Sequence, residues 1–439
     1  MIYKIIKSWI FWIGCASCLS GYAQDTSRAA LPAVWDLQMC IDYAKRNNIQ
    51  VNSLKLSKKS AQQNALLAKA AVLPDLYASA SQTFNHVHNS DLNASGSYGV
   101  SSAWTLYNGG YLRTNIQQQD LAIQQANLSV MEQENSLTLQ ITQAYLNILL
   151  DKENIIYSQD LVATSSAQLK QAQQRYKAGS IARRDVVQLE AQLANDQYTL
   201  TSSQNAQRQD LLSLKQLLQL PLESNIDIAK PDTVIAEVVI PSLEQVRNYA
   251  LQNRPEIKNS QLGLQSAQLD LEKARAGYKP TLTASANMGT SYANNDTYSA
   301  SMGQFGDNFY QQAGLTLSIP IFTKRVNKTN VEQAKITIDQ AKLTLKNSET
   351  VLSQTVEQSY ISALNAQSQY KAASEQFQFY KEAYRIASEE LRLGAANIYE
   401  YYQQRNLYIQ ALQSYIQAKY NAALSASIYD FYSGLPVKL

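Results

Sequence analysis

Two hydrophobic periods divide this chain. From Leu76 to Phe84 the even positions Leu76, Ala78, Ala80 and Phe84 are apolar and the odd positions Ser79, Ser81 and Thr83 polar. Further on, Tyr98, Val100, Trp104 and Leu106 alternate with Gly99, Ser101, Ala103 and Thr105. A period of two gives a strand one apolar face. The pattern returns at Leu282, Ala284, Ala286 and Met288, then at Ala313, Leu315, Leu317 and Ile319, so four strands in two hairpins are predicted. Their polar faces carry almost no charge, and the runs are about 9 to 11 residues, the span of a strand crossing a bilayer.

Elsewhere the period is seven. Ile141, Ile148, Ile155, Val162, Leu169 and Tyr176 recur in a stretch without proline or glycine, and the returning arm shows Val186, Leu193 and Leu200. Val356, Ala363, Tyr370, Phe377, Tyr384 and Leu391 repeat the outgoing series, and Tyr401, Tyr408 and Tyr415 the returning one. Such spacing predicts left-handed coiled helices, turning at Gly179 and at Gly394. At 1.5 Å per residue each outgoing arm is about 100 Å long. A companion stripe of Ala144, Ser158, Ser165 and Ala172 predicts neighbours on both sides of a helix, as in a closed cylinder.

The two halves are copies of one unit. Ala44-Lys-Arg-Asn47 matches Ala250-Leu-Gln-Asn253, and Pro74 matches Pro280, both at an offset of 206; Leu106 to Gly109 matches Ile321 to Lys324, Gly179 matches Gly394 and Pro221 matches Pro436, all at 215. The difference, 215 − 206 = 9, places a nine-residue insertion in the second hairpin. The predicted divisions are a signal peptide over 1–23, an N-terminal segment over 24–48, a helix over 49–73, a membrane hairpin over 74–108 and a helical hairpin over 109–219. A linker over 220–255 leads to the second helix (256–279), membrane hairpin (280–322), helical hairpin (323–432) and a short tail (433–439). The predicted class is thus mainly α with membrane β. Four strands cannot close in hydrocarbon without leaving backbone groups unsatisfied, so copies must share a barrel of 8, 12 or 16 strands.

Composition narrows the function. With 38 Lys+Arg and 35 Asp+Glu the formal balance is 38 − 35 = +3. Removing Lys4 and Lys7 with the leader leaves 36 − 35 = +1, which excludes a basic nucleic-acid or anionic-membrane footprint as the dominant theme. Those lysines, the apolar run from Ile10 to Ala16, and Gly21-Tyr22-Ala23 read as a secretory leader cleaved after Ala23; a lipid on Cys15 or Cys18 is the alternative processing. Only Cys40 then remains, so no intramolecular disulfide forms. His86 and His88 read as a loop pair rather than a metal site, and Gly109-Gly110 lacks the surroundings of a phosphate loop. No catalytic constellation and no cofactor site stands out, so an enzyme is not expected. An exported coiled-coil structural or adhesive protein is the competing reading.

The doubled order of half-helix, Leu-Pro, strand hairpin, Leu106-Tyr107-Asn108-Gly109-Gly110, long helix, Arg175-Tyr176-x-x-Gly179, return helix and Leu220-Pro221 resembles the TolC family of outer-membrane efflux proteins from about Trp35 to Val437. The resemblance implies a homotrimer, a twelve-stranded barrel in the outer membrane and a periplasmic α-barrel with an equatorial belt built here by Trp35 to Asn48 and Pro221 to Asn253. It implies a passive exit duct for efflux or type I secretion. Its partners would be a periplasmic adaptor and an inner-membrane pump of resistance-nodulation, ABC or related type, the adaptor docking on the tips Arg175 to Asp185 and Glu390 to Glu400. Gly179, Gly394, Arg183, Arg184, Asp185 and Arg392 would form the tip network, with Asp185 pairing with Arg183, Arg184 or Arg392. The family's mouth-narrowing acids fall at Glu400 and at Gln403, where the acid is lost; Tyr399, Tyr401 and Tyr402 are expected to help close the mouth by packing.

Overall fold

A computed structural model describes residues 32–86, 88, 92–221, 223–231, 239–294, 303–395 and 398–437. The expected leader, its cleavage after Ala23, and Cys15 and Cys18 lie outside the described residues. In chain order the elements are β1 (Val34–Trp35), α1 (Leu37–Asn47), α2 (Ile49–Ala70), β2 (Tyr77–Asn85), β3 (Asn93–Asn108), α3 (Tyr111–Lys177), α4 (Arg183–Leu218) and β4 (Asp227–Ile228). The second repeat supplies α5 (Leu243–Asn253), α6 (Pro255–Ala276), β5 (Thr281–Asn294), α7 (Gly303–Asp307), β6 (Tyr310–Ser318), α8 (Val326–Leu393) and α9 (Ile398–Tyr432). The outgoing helices are 67 and 68 residues long, and none of the described helices is apolar enough to cross a membrane.

The strands form one antiparallel sheet in the order β2-β3-β5-β6, so the repeats join through β3 and β5. The central strands exceed the expected length, with 16 residues in β3 and 14 in β5 against nine in each edge strand. The reason is pairing beyond the bilayer span: Ala94 still faces Asn294 and Gly96 faces Tyr292. Gly96 admits that ring because an added Cβ would come within 2.5 Å of it, and the Tyr292 hydroxyl donates to Gln82 Oε1 at 2.5 Å. The first strand connection is therefore short, since β2 runs to Asn85 and β3 resumes at Asn93. The second contains α7, which the pattern did not predict; its Phe305 ring lies 5.9 Å from Tyr98 and 5.3 Å from Tyr292.

Junctions between sheet and helix differ between the repeats. Gly109 and Gly110 take φ of 68° and 92°, and a Cβ on Gly109 would approach the Ala276 carbonyl to 2.6 Å, so glycine is required there. At the equivalent positions (109 + 215 = 324) Lys324 and Arg325 adopt φ of 49° and 72°, a left-handed conformation costing a side-chain-bearing residue about 1 kcal/mol. The helix ends share one device. Gly179 N–H donates to Tyr176 O at 2.9 Å and Ser180 N–H to Arg175 O at 2.9 Å, the Schellman pattern. It recurs at Gln219, Gly394 and Gly434, and 219 + 215 = 434 brings these residues into repeat register.

The largest core lies at the middle of α3 and includes Trp35, Cys40, Ile41, Val51, Leu137, Ile141, Ile148, Leu214 and Leu218. Over it β1 and β4 pair in parallel, and Tyr145 donates to the Ala229 carbonyl at 2.7 Å while Lys152 Nζ meets Asp227 at 2.6 Å. A second core gathers Val246, Ile257, Leu352, Val356 and Tyr429. The α1–α2 corner is capped by Asn48, whose Oδ1 accepts from Gln50 N–H at 2.9 Å. Its repeat equivalent, Arg254 (48 + 206), instead lays its guanidinium over Phe431 at 4.5 Å. Toward the tip the expected seam is corrected: Ser158, Ser165 and Ala172 are buried, whereas Ile155, Val162 and Leu169 are half-buried and Tyr176 exposed. Small side chains let the second hairpin approach that face closely, and the bulkier series is left toward the side the protomer does not cover.

One acid interrupts the small-residue stripe. Asp151 is buried with Oδ2 unpartnered among the described residues, and burial, then the Asp210 carboxylate across the α3–α4 seam, pushes its pKa up to about 7. A carboxyl protonated in the fold but ionised in the unfolded chain stabilises most below its ordinary value near 4, and that contribution is lost as pH rises through about 7. Asp151→Asn should therefore raise the melting temperature of the helices, followed by circular dichroism, at about pH 8, with the gap over wild type narrowing as pH falls toward about 4.

Candidate functional site: the helical tips

Both helical turns end in left-handed glycines, Gly179 at φ 71° and Gly394 at φ 76°. Around them Ala172, Val186, Leu189, Tyr401 and Tyr402 form a buried cluster, with Leu169, Ile181, Tyr384 and Leu391 packed against it. It draws on all four tip helices, so the two hairpins are joined at their ends as well as at the belt. Gln168 on α3 donates to the Tyr401 hydroxyl, which is 3.0 Å from that of Tyr384. Burial is the first cause raising the Tyr402 hydroxyl to about 12 and the Tyr384 hydroxyl well above its ordinary value.

From this cluster a column of rings runs up the second hairpin. Tyr384 stacks on Tyr408 at 5.0 Å, Phe377 on Tyr415 at 5.0 Å, and Tyr370 on Tyr415 at 5.8 Å. These are the predicted heptad positions of α8 and α9 interdigitating, offset stacking being the favoured arrangement. The first hairpin has Ile155, Val162 and Leu169 at the matching outgoing positions.

The expected charged residues separate into local pairs. Arg183 reaches Glu190 at 3.8 Å and Arg184 reaches Asp185 at 3.5 Å. Arg392 grips Glu389 on its own helix through Nε at 2.9 Å and Nη2, so of the three arginines considered for Asp185 only Arg184 pairs with it among the described residues. Glu400 and Gln403, one turn apart on α9, are both exposed, as is Tyr399. Tyr401 and Tyr402 are not. At 2% and 5% exposure their rings are packed among the chain's own helices, while Tyr399 of the three expected to close the mouth by packing is exposed; Tyr401 and Tyr402 brace the helix that carries Glu400. His86 and His88 are exposed, and among the described residues no group of three or more His, Cys, Asp or Glu is placed to hold a metal.

The sequence reading missed a buried ion pair. Arg405 Nη2 on α9 donates to Asp196 Oδ2 on α4 at 2.7 Å and to Ser165 Oγ on α3 at 3.0 Å. Ser165 also donates to Asp196, and Gln192 Nε2 donates to Asp196 Oδ1 at 2.9 Å. Arg405 and Asp196 have side-chain exposures of only 1% and 3%, which fixes α9 against the first hairpin. The available signal was Asp196 seven residues beyond Leu189, an acid where a heptad places an apolar side chain. Removing one partner of such a pair leaves a buried charge and costs about 3–5 kcal/mol, whereas replacing both with apolar residues is close to neutral. Arg405→Leu and Asp196→Asn should each lower the melting temperature clearly, and Arg405→Leu with Asp196→Leu should restore much of it.

The chain has relatives of known kind. Residues 40–219 and 246–427 match the family described as outer membrane efflux protein, one stretch falling on each repeat. The outer membrane efflux protein BepC of Brucella suis is 23% identical over 337 residues, 76% of this chain and 70% of the relative. The outer membrane protein TolC of Escherichia coli is 25% identical over 379 residues, 80% and 72% of the two chains. In fold, the CmeC outer membrane channel of Campylobacter jejuni superposes with a TM-score of 0.77 at 18% identity, over 91% of this chain and 86% of the other. With each repeat matched along most of its length and the same arrangement of sheet and helices in a solved channel, the chain belongs to the outer membrane efflux protein family.

Proposed function

We propose that the protein is the outer-membrane exit duct of a tripartite efflux or type I secretion system, passive in itself. A periplasmic adaptor and an inner-membrane pump of resistance-nodulation, ABC or related type would drive it. The observation that carries this reading is a four-stranded sheet whose outer strands β2 and β6 each lack a partner on one side, joined to family membership over both repeats. In hydrocarbon those edges must be paired. Three copies supply twelve strands and six helical hairpins, and the half-buried Ile155, Val162 and Leu169 seam offers apolar surface for a neighbouring copy.

The tips are the docking end. Gly179 and Gly394 close the turns, and exposed Arg183, Arg184 and Arg392 with half-buried Asp185 give them a charged rim that an adaptor hairpin can engage. Glu400 and Gln403, backed by Tyr399, line the mouth, so three copies make one ring of carboxylates and one of amides a turn apart. Tyr401 and Tyr402 hold the backbone of that ring rigid through their burial.

Gly179→Pro and Gly394→Pro, which cannot take the left-handed turn, should abolish export in cells carrying the pump while leaving heat-modifiable trimers in the outer membrane. Full export by either variant would remove the docking assignment. In planar bilayers the wild type should be cation-selective and blocked by divalent ions, because crowded carboxylates attract counter-ions. Glu400→Gln should lose much of both properties, and unchanged selectivity and block would exclude Glu400 from the mouth.

A further inference from the structure

One surface patch is not used by the duct or its tips. Where the second repeat passes from sheet to helix, Lys279, Lys324, Arg325 and Lys328 are all exposed. Asn327 Nδ2 donates to the Gly277 carbonyl at 2.5 Å, which draws the β6–α8 corner onto the α6–β5 corner. That contact gathers the four cations at one level of the molecule. Among the described residues Lys279, Lys324 and Arg325 enter no ion pair, and Glu332, one turn beyond Lys328, is taken up by Lys335 at 2.9 Å.

Directly on the strand side the surface is apolar. Ile319, Ile321 and Phe322 are 58%, 94% and 84% exposed and extend the apolar face of β6 carried by Leu315 and Leu317. Tyr278 is exposed beside Lys279. Few soluble surfaces leave an isoleucine and a phenylalanine so open with cations two residues away. Three of the four cations have no counterpart in the first repeat: the positions equivalent to Lys279, Lys324 and Arg325 are Leu73 (279 − 206), Gly109 and Gly110 (324 − 215 and 325 − 215), whereas Lys328 corresponds to Arg113 (328 − 215). Its nearby Lys69 is paired with Asp120 at 3.1 Å. The sequence therefore places Lys279, Lys324 and Arg325 in one repeat only, although a chain following the same path needs no cation at those three positions.

We propose that this patch is a binding surface for anionic phospholipid headgroups in the periplasmic leaflet of the outer membrane, with Ile319, Ile321 and Phe322 in the acyl region and Lys279, Lys324 and Arg325 on the phosphates. The boundary between an apolar strand face and polar helices is the level at which headgroups lie. Long basic side chains over an apolar base reach phosphate oxygens while their stems stay in contact with lipid. Lys328 stands one turn further out and adds to the attraction. The inference rests on the duct reading only in requiring that the sheet span the outer membrane.

The test uses purified trimers released from detergent in native mass spectrometry after addition of phosphatidylglycerol or phosphatidylcholine. Wild type should retain roughly 10-fold more phosphatidylglycerol, in line with the attraction that each surface Lys or Arg contributes. The variant K324G/R325G carries the residues of the first repeat and so should fold and insert normally; it should lose most of that preference, as should K324Q/R325Q. Arg325→Lys should keep it. Excess inorganic phosphate should not displace the lipid, since it lacks the acyl contact. Equal retention of the two lipids by wild type, an undiminished preference in K324G/R325G, or full displacement by phosphate would each overturn the proposal. So would loss of adaptor binding by K324G/R325G with its lipid preference intact, because the occupant would then be a protein. Absence of trimers from the outer membrane would instead overturn the duct reading itself.

Discussion

An unpaired strand edge in hydrocarbon is the constraint on which the rest of this molecule depends. Each N–H and C=O left without a partner there is costly enough that a spanning sheet must close, and four strands in the order β2-β3-β5-β6 cannot close alone. The long central strands β3 and β5 have neighbours on both sides within the chain, while β2 and β6 are short and fully exposed and, in the proposed duct, are completed by other copies. In that duct, assembly is part of folding. The helices inherit the same condition, since they follow the strands out of the membrane and must be arranged around the same axis.

Two fixed points keep such long helices in order. At the belt, Tyr145 and Lys152 on α3 hold the β1–β4 ribbon through its carbonyls and Asp227. Near the tips, Arg405, Asp196 and Ser165 join α9, α4 and α3 in a buried polar contact. Between them the first hairpin packs through aliphatic and small side chains and the second through stacked rings. A buried ion pair adds little net stability compared with an apolar substitute, yet it allows one register only, which is what the 67-residue α3 against its neighbours most needs.

Much of this was legible in the sequence because it is periodic. The period of two located the strands, the period of seven the helices, and the 206 and 215 offsets the duplication, down to matching helix ends at Gln219 and Gly434. What escaped was set by contacts between distant segments. The extra length of β3 and β5 comes from their pairing with each other, α7 from Phe305 packing on Tyr98 and Tyr292, and the burial of Ser158 and Ser165 from the approach of the other hairpin. Position along a helix placed Tyr401 beside Glu400 but could not say that one ring turns inward and the other side chain outward. Arg405 and Asp196, 209 residues apart, carried no joint signal in a single chain.

The covalent joining of the two repeats through β3 and β5 has a consequence for symmetry. If the halves were separate and identical, every corner, hairpin and mouth position around a closed ring would be the same, and any substitution would be felt at all of them at once. Fused, the halves would alternate around the axis of the proposed duct, giving a ring with half the rotational order of its hairpins. One set can hold stacked aromatics and basic corners, while the other keeps aliphatic packing and glycines in the equivalent places. Duplication thereby turned one repeating wall into two kinds of stave that natural selection can alter independently.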